Sequence, residues 1–185
     1  QWYATSSGLG DDVLPPPSRV LTQAWLNRGD LIANAIPTLR ATLIGFAVSL
    51  VIGFALSVIL DSSSLVRRGV LPVLVISQTL PLIAIAPLMI LWFGFELLPK
   101  VLIVVLVTFF PITVSLVEGY ASADPTSQAL LRSMGAGRWR IFRSLRLPSA
   151  MPYFFSGLRI AITYAVVAAI FAEYAGASEG LGIYM

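Results

Sequence analysis

The sequence predicts an all-α, polytopic bundle of membrane-spanning helices, and three observations carry that prediction. Of its 185 residues, 57% are hydrophobic and only 11% charged, with a mean hydropathy of +0.87. A soluble domain carries about 25% charged residues, so this chain cannot clothe a globule in polar surface and lipid is its expected solvent. The apolar residues gather into runs long enough to cross a bilayer. The arginines fall mainly into two of the intervening loops. The same composition excludes other classes. With no histidine and no cysteine, the chain has no zinc-site pattern, disulfide framework or thiolate chemistry. Its net charge of +3 is not spread over a water-soluble basic fold, which argues against a nucleic-acid partner.

The chain runs from Gln1 to Met185 and reads as a fragment of a longer protein. Residues 1–40 are a polar lead-in without the basic flank and apolar run of a signal peptide. "LPPPS" breaks regular helix, and "SRVLTQAWLNRG" after it predicts a short amphipathic helix capped by Ser18 and stopped at Gly29. A span needs about 20 apolar residues, and four segments qualify. The first is 41–60, uncharged, with Gly45 and Gly53 on one face where another helix can approach closely. The second, 70–95, is also uncharged and contains Pro72, Pro81 and Pro87, which spans tolerate when neighbours satisfy the freed carbonyls. The third is 101–117 and the fourth 151–172.

Orientation follows from the basic residues. Arg67 and Arg68 lie between spans one and two; Arg132, Arg138, Arg140, Arg143 and Arg146 lie between spans three and four. The positive-inside rule puts 61–69 and 118–150 in the cytoplasm and 1–40, 94–100 and 174–185 outside. A multi-pass membrane protein is expected.

The 118–150 loop has its own grammar. Asp124 as N-cap, Pro125 at the first helical position and Gly135 as stop predict one short helix. A second restarts near Gly137 and runs to Pro148, with Ile141, Phe142 and Leu145 on one arc and Arg140, Arg143 and Arg146 opposite. Charge alone suits an interfacial helix whose arginines reach for lipid headgroups.

The pattern as a whole adds a second reading. Gly135, nine residues, then "LRLP" (145–148) resembles the EAA loop of ABC importer permeases: Gly135, Leu147 and Pro148 match and Leu145 replaces an isoleucine. The Glu-Ala-Ala of that motif falls on Ala129, Leu130 and Leu131 and is not kept. With the flanking spans the resemblance covers about residues 15–185. It is nearest to permeases for nitrate, taurine, alkanesulfonates, and thiamine-precursor pyrimidines or riboflavin, with "SQTLP…APL…WFGF…LPK" leaning towards the last pair. The resemblance implies a transport subunit that performs no catalysis and holds no cofactor, ATP being bound by a cytoplasmic ABC ATPase. It further implies an external substrate-binding protein, a second permease copy in a homodimer, and one more span on either side of this chain. The residues that would couple to the ATPase are Arg132, Ser133, Gly135, Gly137, Arg138, Arg140, Leu147 and Pro148.

Polar residues within the spans are candidates for the translocation path. Gln78, between Ser77 and Thr79, is one, with Thr108 and Tyr164; helix–helix hydrogen bonding is the alternative role. Arg159 either snorkels to the interface or pairs with Glu118. Glu173, at the outer end of span four, either faces the outer mouth or marks the interface, and Trp92 is an interface anchor. An ion-coupled carrier is the competing function. Carriers of that kind bury carboxylate or histidine relays, and spans one to three contain none. No GxxxxGK[ST] phosphate loop occurs either.

Overall fold

The computed structural model describes residues 16–184, and every regular element among them is helical. The first 15 residues of the polar lead-in lie outside the described residues. Helix α1 (Pro17–Leu26) starts one residue earlier than Ser18, because Pro17 at the first position has the fixed φ a helix start needs. It is not stopped at Gly29. The break falls at Asn27, and α2 (Arg28–Ser62) takes Gly29 into its first turn. At 35 residues α2 is far longer than the apolar run 41–60. The additional turns contain Asn34 and Thr38, polar residues that bond Glu173, Gly180 and Leu181.

One stripe of α2 is buried: Thr38, Ala41, Thr42, Gly45, Ser49, Gly53, Ser57 and Leu60 recur every three or four residues. Nearly all are small, so a neighbouring helix comes close. A Cβ on Gly45 would lie 2.6 Å from Val104 Cβ, and one on Gly53 would lie 3.0 Å from Ile112. The hydroxyls in the stripe return to their own helix, Thr42 to the Thr38 carbonyl at 2.7 Å and Ser49 to that of Gly45 at 2.8 Å.

The expected second span is two helices. α3 (Ser64–Ser77) and α4 (Leu82–Phe93) are bent by 93° about residues 78–81. Pro72 and Pro87 are absorbed inside the helices, whereas Pro81 sits at the break. A proline pushes the residue before it out of helical space, and hydroxyls bond back into the last turn of α3: Ser77 donates to the Leu74 carbonyl at 2.7 Å and Thr79 to that of Ile76 at 2.8 Å. Gly94, at φ +83, ends α4, and α5 (Leu97–Ala121) begins at once, four residues before the expected 101.

α6 (Pro125–Ser133) and α7 (Arg138–Ile141) form the loop. A π-turn, Phe142–Arg146, then carries the chain into α8 (Leu147–Tyr174), and α9 (Leu181–Tyr184) follows. The expected stop at Pro148 is therefore absent: Arg138–Tyr174 is one helical rod of 37 residues. Leu147 N–H bonds back five residues to the Phe142 carbonyl. The widened turn makes room for the Pro148 ring, which clashes with a carbonyl four residues back in an ordinary helix.

Among the described residues three helices are long and apolar enough to span a bilayer, α2, α5 and the 138–174 rod; the α3–α4 pair makes a fourth if its two limbs count as one span. α5 packs along both α2 and α8. Gly157 lies on Ser115 and Gly119 on Ala150, so this contact too is built on missing side chains. α2 and α5 run in one direction and α8 in the other. Asp61, Tyr120 and Arg146 consequently meet at the arginine-rich end, and Thr38, Lys100 and Glu173 at the opposite end.

Candidate functional sites in the loop and the bundle

The loop is built from its caps upward. The Asp124 carboxylate accepts from Ser127 N at 2.8 Å, Ser127 Oγ at 2.6 Å and Thr126 N at 3.2 Å, and these donors hold its carboxyl below the usual range. At the other end of α6, Gly135 N–H donates to the Arg132 carbonyl at 3.0 Å and Ala136 N–H to that of Leu131 at 2.9 Å. This is a Schellman stop, and Gly135 sits at its left-handed position with φ +77. Gly137 caps α7 with ordinary φ and has open space around it, so no close approach demands glycine there. The elbow between α6 and the long rod is thus set by Gly135.

Arg132, Ser133, Arg138 and Arg140 are exposed around this elbow, together with Leu130, Met134 and Trp139. The surface mixes guanidinium groups with bare apolar side chains. Leu147 and Pro148 belong to the first turn of α8. Of the proposed basic arc, Arg140 and Arg143 face outward but Arg146 does not. Arg146 Nη1 bonds Asp61 Oδ2 at 2.7 Å and its Nε reaches the Tyr120 carbonyl at 3.3 Å. The π-turn rotates Arg146 onto α2 in this way. Beside it Phe142 stacks on Trp139 at 5.6 Å and meets Tyr120 edge-on at 5.2 Å, while Tyr120 Oη lies 3.2 Å from Ser57 Oγ. A cavity of about 480 Å³ opens between α6, α7 and the end of α2, with Asp61, Gln128, Arg132, Arg138 and Trp139 on its walls. Sequence reasoning passed over Asp61. The available signal was a lone carboxylate at the end of an uncharged run.

A second cleft, about 460 Å³, lies at the α3–α4 bend against α5 and α8. Ser77, Gln78, Phe110 and Tyr164 are among its walls, and no charged residue is among the described residues that line it. Gln78 Nε2 donates to the Leu106 carbonyl at 3.3 Å, which ties the bend to α5. Of the five path candidates, then, Gln78 and Tyr164 come together. Thr108 does not join them: it is buried between α5 and α2, hydrogen-bonded to Ser49 and to its own Val104 carbonyl. Arg159 is exposed on α8 outside the cleft walls. No ion pair joins it to Glu118, which is exposed on α5. Glu173 is fully buried at the far end of the bundle. A glutamate beyond an apolar run looks the same in sequence whether it meets solvent or a packed loop.

A bundle of closely packed apolar helices with a capped, glycine-stopped loop helix on one long rod is an all-α, polytopic membrane architecture. The chain belongs to the family of binding-protein-dependent transport system inner membrane components, whose pattern matches residues 45–185. It is 40% identical over 185 residues to the formylaminopyrimidine transport permease protein ThiX of Halalkalibacterium halodurans, covering 99% of this chain and 74% of that protein. To the riboflavin transport system permease protein RibX of Chloroflexus aurantiacus it is 36% identical, over 98% of this chain and 69% of the other. The taurine transport system permease protein TauC of Escherichia coli is 27% identical, over 98% and 69%. The importer-permease resemblance and the all-α membrane bundle both hold, and these relatives are transport permeases.

Proposed function

We propose that this chain is the membrane-spanning subunit of an ATP-driven importer in a bacterial cytoplasmic membrane, coupled to a cytoplasmic ABC ATPase through residues 121–148. The observation that carries the reading is mechanical. α6 is exposed, capped at both ends, and joined by one glycine elbow to a helical rod of 37 residues, about 55 Å long. A push on α6 passes the Gly135 elbow and then travels to the far side of the bilayer along one continuous helix. Arg132, Arg138 and Arg140 around the elbow suit an acidic rim, and Leu130 and Met134 suit an apolar cleft. The arginine-rich end is then cytoplasmic. A substrate-binding protein serves the other end, and a homodimer supplies two loops for two ATPases.

The cleft at the α3–α4 bend favours a neutral, planar heteroaromatic substrate. Phe110 and Tyr164 offer rings, Gln78 and Ser77 offer hydrogen bonds, and no cation is present to compensate a buried anion. A pyrimidine vitamin precursor or riboflavin meets that description better than taurine or a sulfonate.

The test is a cross-link. A single cysteine at Ser133, exposed on α6, is expected to form a specific adduct with the co-expressed ATPase, and uptake is expected to need ATP hydrolysis. Uptake that survives ATP depletion and collapses with the proton or sodium gradient, with no adduct at Ser133→Cys, would establish the ion-coupled carrier instead.

A further inference from the structure

Four side chains from three helices converge on the loop that follows α8. The Glu173 carboxylate is 0% exposed. Thr38 Oγ1, from α2, lies 2.8 and 2.9 Å from its two oxygens, and Gly182 N–H donates to Oε2 at 2.9 Å. Lys100, from α5 and only 5% exposed, brings Nζ to 3.8 Å from Oε1 and donates to the Glu179 carbonyl at 2.8 Å. Leu181 N–H donates to Thr38 Oγ1 at 2.9 Å and Gly180 N–H to Asn34 Oδ1 at 3.2 Å. Three consecutive amides, 180, 181 and 182, are therefore each held by a different side chain. The preceding carbonyl is held by a fourth.

The two glycines are consequences of this arrangement. Gly180 has φ +130, and a Cβ there would fall within the Glu173 carboxylate. A Cβ on Gly182 would lie 2.5 Å from the Ile170 carbonyl oxygen. Burying a carboxylate and an ammonium is costly, and apolar packing holds helices together at least as well. What the polar cluster adds is a single register between loop and helices, since any other register leaves buried groups unsatisfied.

We propose that Glu173 is a positioning residue for transport: with Asn34, Thr38 and Lys100 it locks the 179–182 backbone to α2, α5 and α8, so that the outer loop and the bundle move as one body. The proposal rests on the importer reading above, with this end outside. It assigns α2 a part in the transport cycle at the end remote from the arginine-rich loop.

The experiment uses the complete permease with its ATPase and binding protein in proteoliposomes, carrying one nitroxide at Ser178→Cys, an exposed loop position. Thr38→Val and Glu173→Gln are both expected to narrow the nitroxide spectrum, reporting a loosened loop. Both are expected to lower binding-protein-dependent transport about tenfold, the scale of a lost buried hydrogen-bond partner, with basal ATP hydrolysis unchanged. Thr38→Ser is expected to restore both. If Glu173→Gln fails to assemble, Thr38→Val carries the test, because it removes one hydroxyl and leaves both charges in place. An unchanged spectrum in Thr38→Val, or a narrowed one with full transport, overturns the proposal. A parent complex that shows no ATP-dependent transport instead sinks the importer reading, and the nitroxide still reports whether the loop is locked.

Discussion

Gln78 and Asp124 show how single side chains fix the geometry of a bend and of a loop. Gln78 reaches across the α3–α4 bend to α5 while lining the uncharged cleft. Gln78→Leu keeps the bulk and removes the amide, so uptake of a pyrimidine substrate is expected to fall about tenfold, as for an unmade buried hydrogen bond, while the complex still assembles. Uptake assays alongside size-exclusion profiles check this, and full uptake would remove Gln78 from the path. Asp124 acts on the loop. Its carboxyl is held below the ordinary 3.8 by the Ser127 side chain first, then by the Ser127 and Thr126 amides. A carboxyl depressed in the folded state stabilises fully above its unfolded pKa and ceases to as pH falls through its folded one. The start of α6 is thus expected to hold at neutral pH and to fray in acid, beginning below 3.8. Exchange protection of the Ser127 amide, corrected for intrinsic pH dependence, reads this directly, and Asp124→Asn is expected to abolish the transition. The cap and the Gly135 stop were both legible in sequence because capping is local chemistry. The Arg146–Asp61 pair was not, since a π-turn decides where Arg146 points.

At the level of elements, the bundle depends on residues that present almost no side chain. Gly45→Val would drive a branched Cβ into Val104, and overpacking of this kind costs about 1–3 kcal/mol. A lower unfolding temperature in detergent is the expected result. Gly69→Ala, a helical glycine with nothing within 4 Å, is the matched control and is expected to be neutral or slightly stabilising. Equal behaviour of the two variants would contradict the close approach of α2 to α5. The glycine spacing on α2 pointed to this seam in advance. The broken second span shows the opposite case. Three prolines were visible in 70–95, but which of them a helix absorbs depends on what lies around the freed carbonyls, and here only Pro81 marks the break.

Over the whole molecule, the polar clusters at the two ends of the α2–α5–α8 core give the chain a direction. A single cysteine at Ser178 is expected to react with an impermeant maleimide in intact cells, and one at Ser144 only after permeabilisation; both positions are exposed. The reverse pattern would invert the protein and end the importer reading. Hydropathy and turn chemistry determined the helical membrane class, the long apolar helices and the capped elbow, because each is a property of a short stretch of chain; the charge bias predicts an orientation that the labelling tests. The tertiary structure alone decided that Thr108 meets Ser49, that Asp61 meets Arg146 and that Glu173 meets Thr38, pairs separated by 59, 85 and 135 residues. The reason is physical. In a membrane the faces that meet lipid and the faces that meet protein are both apolar, so hydropathy locates a helix in the bilayer without saying which side it turns to its neighbours.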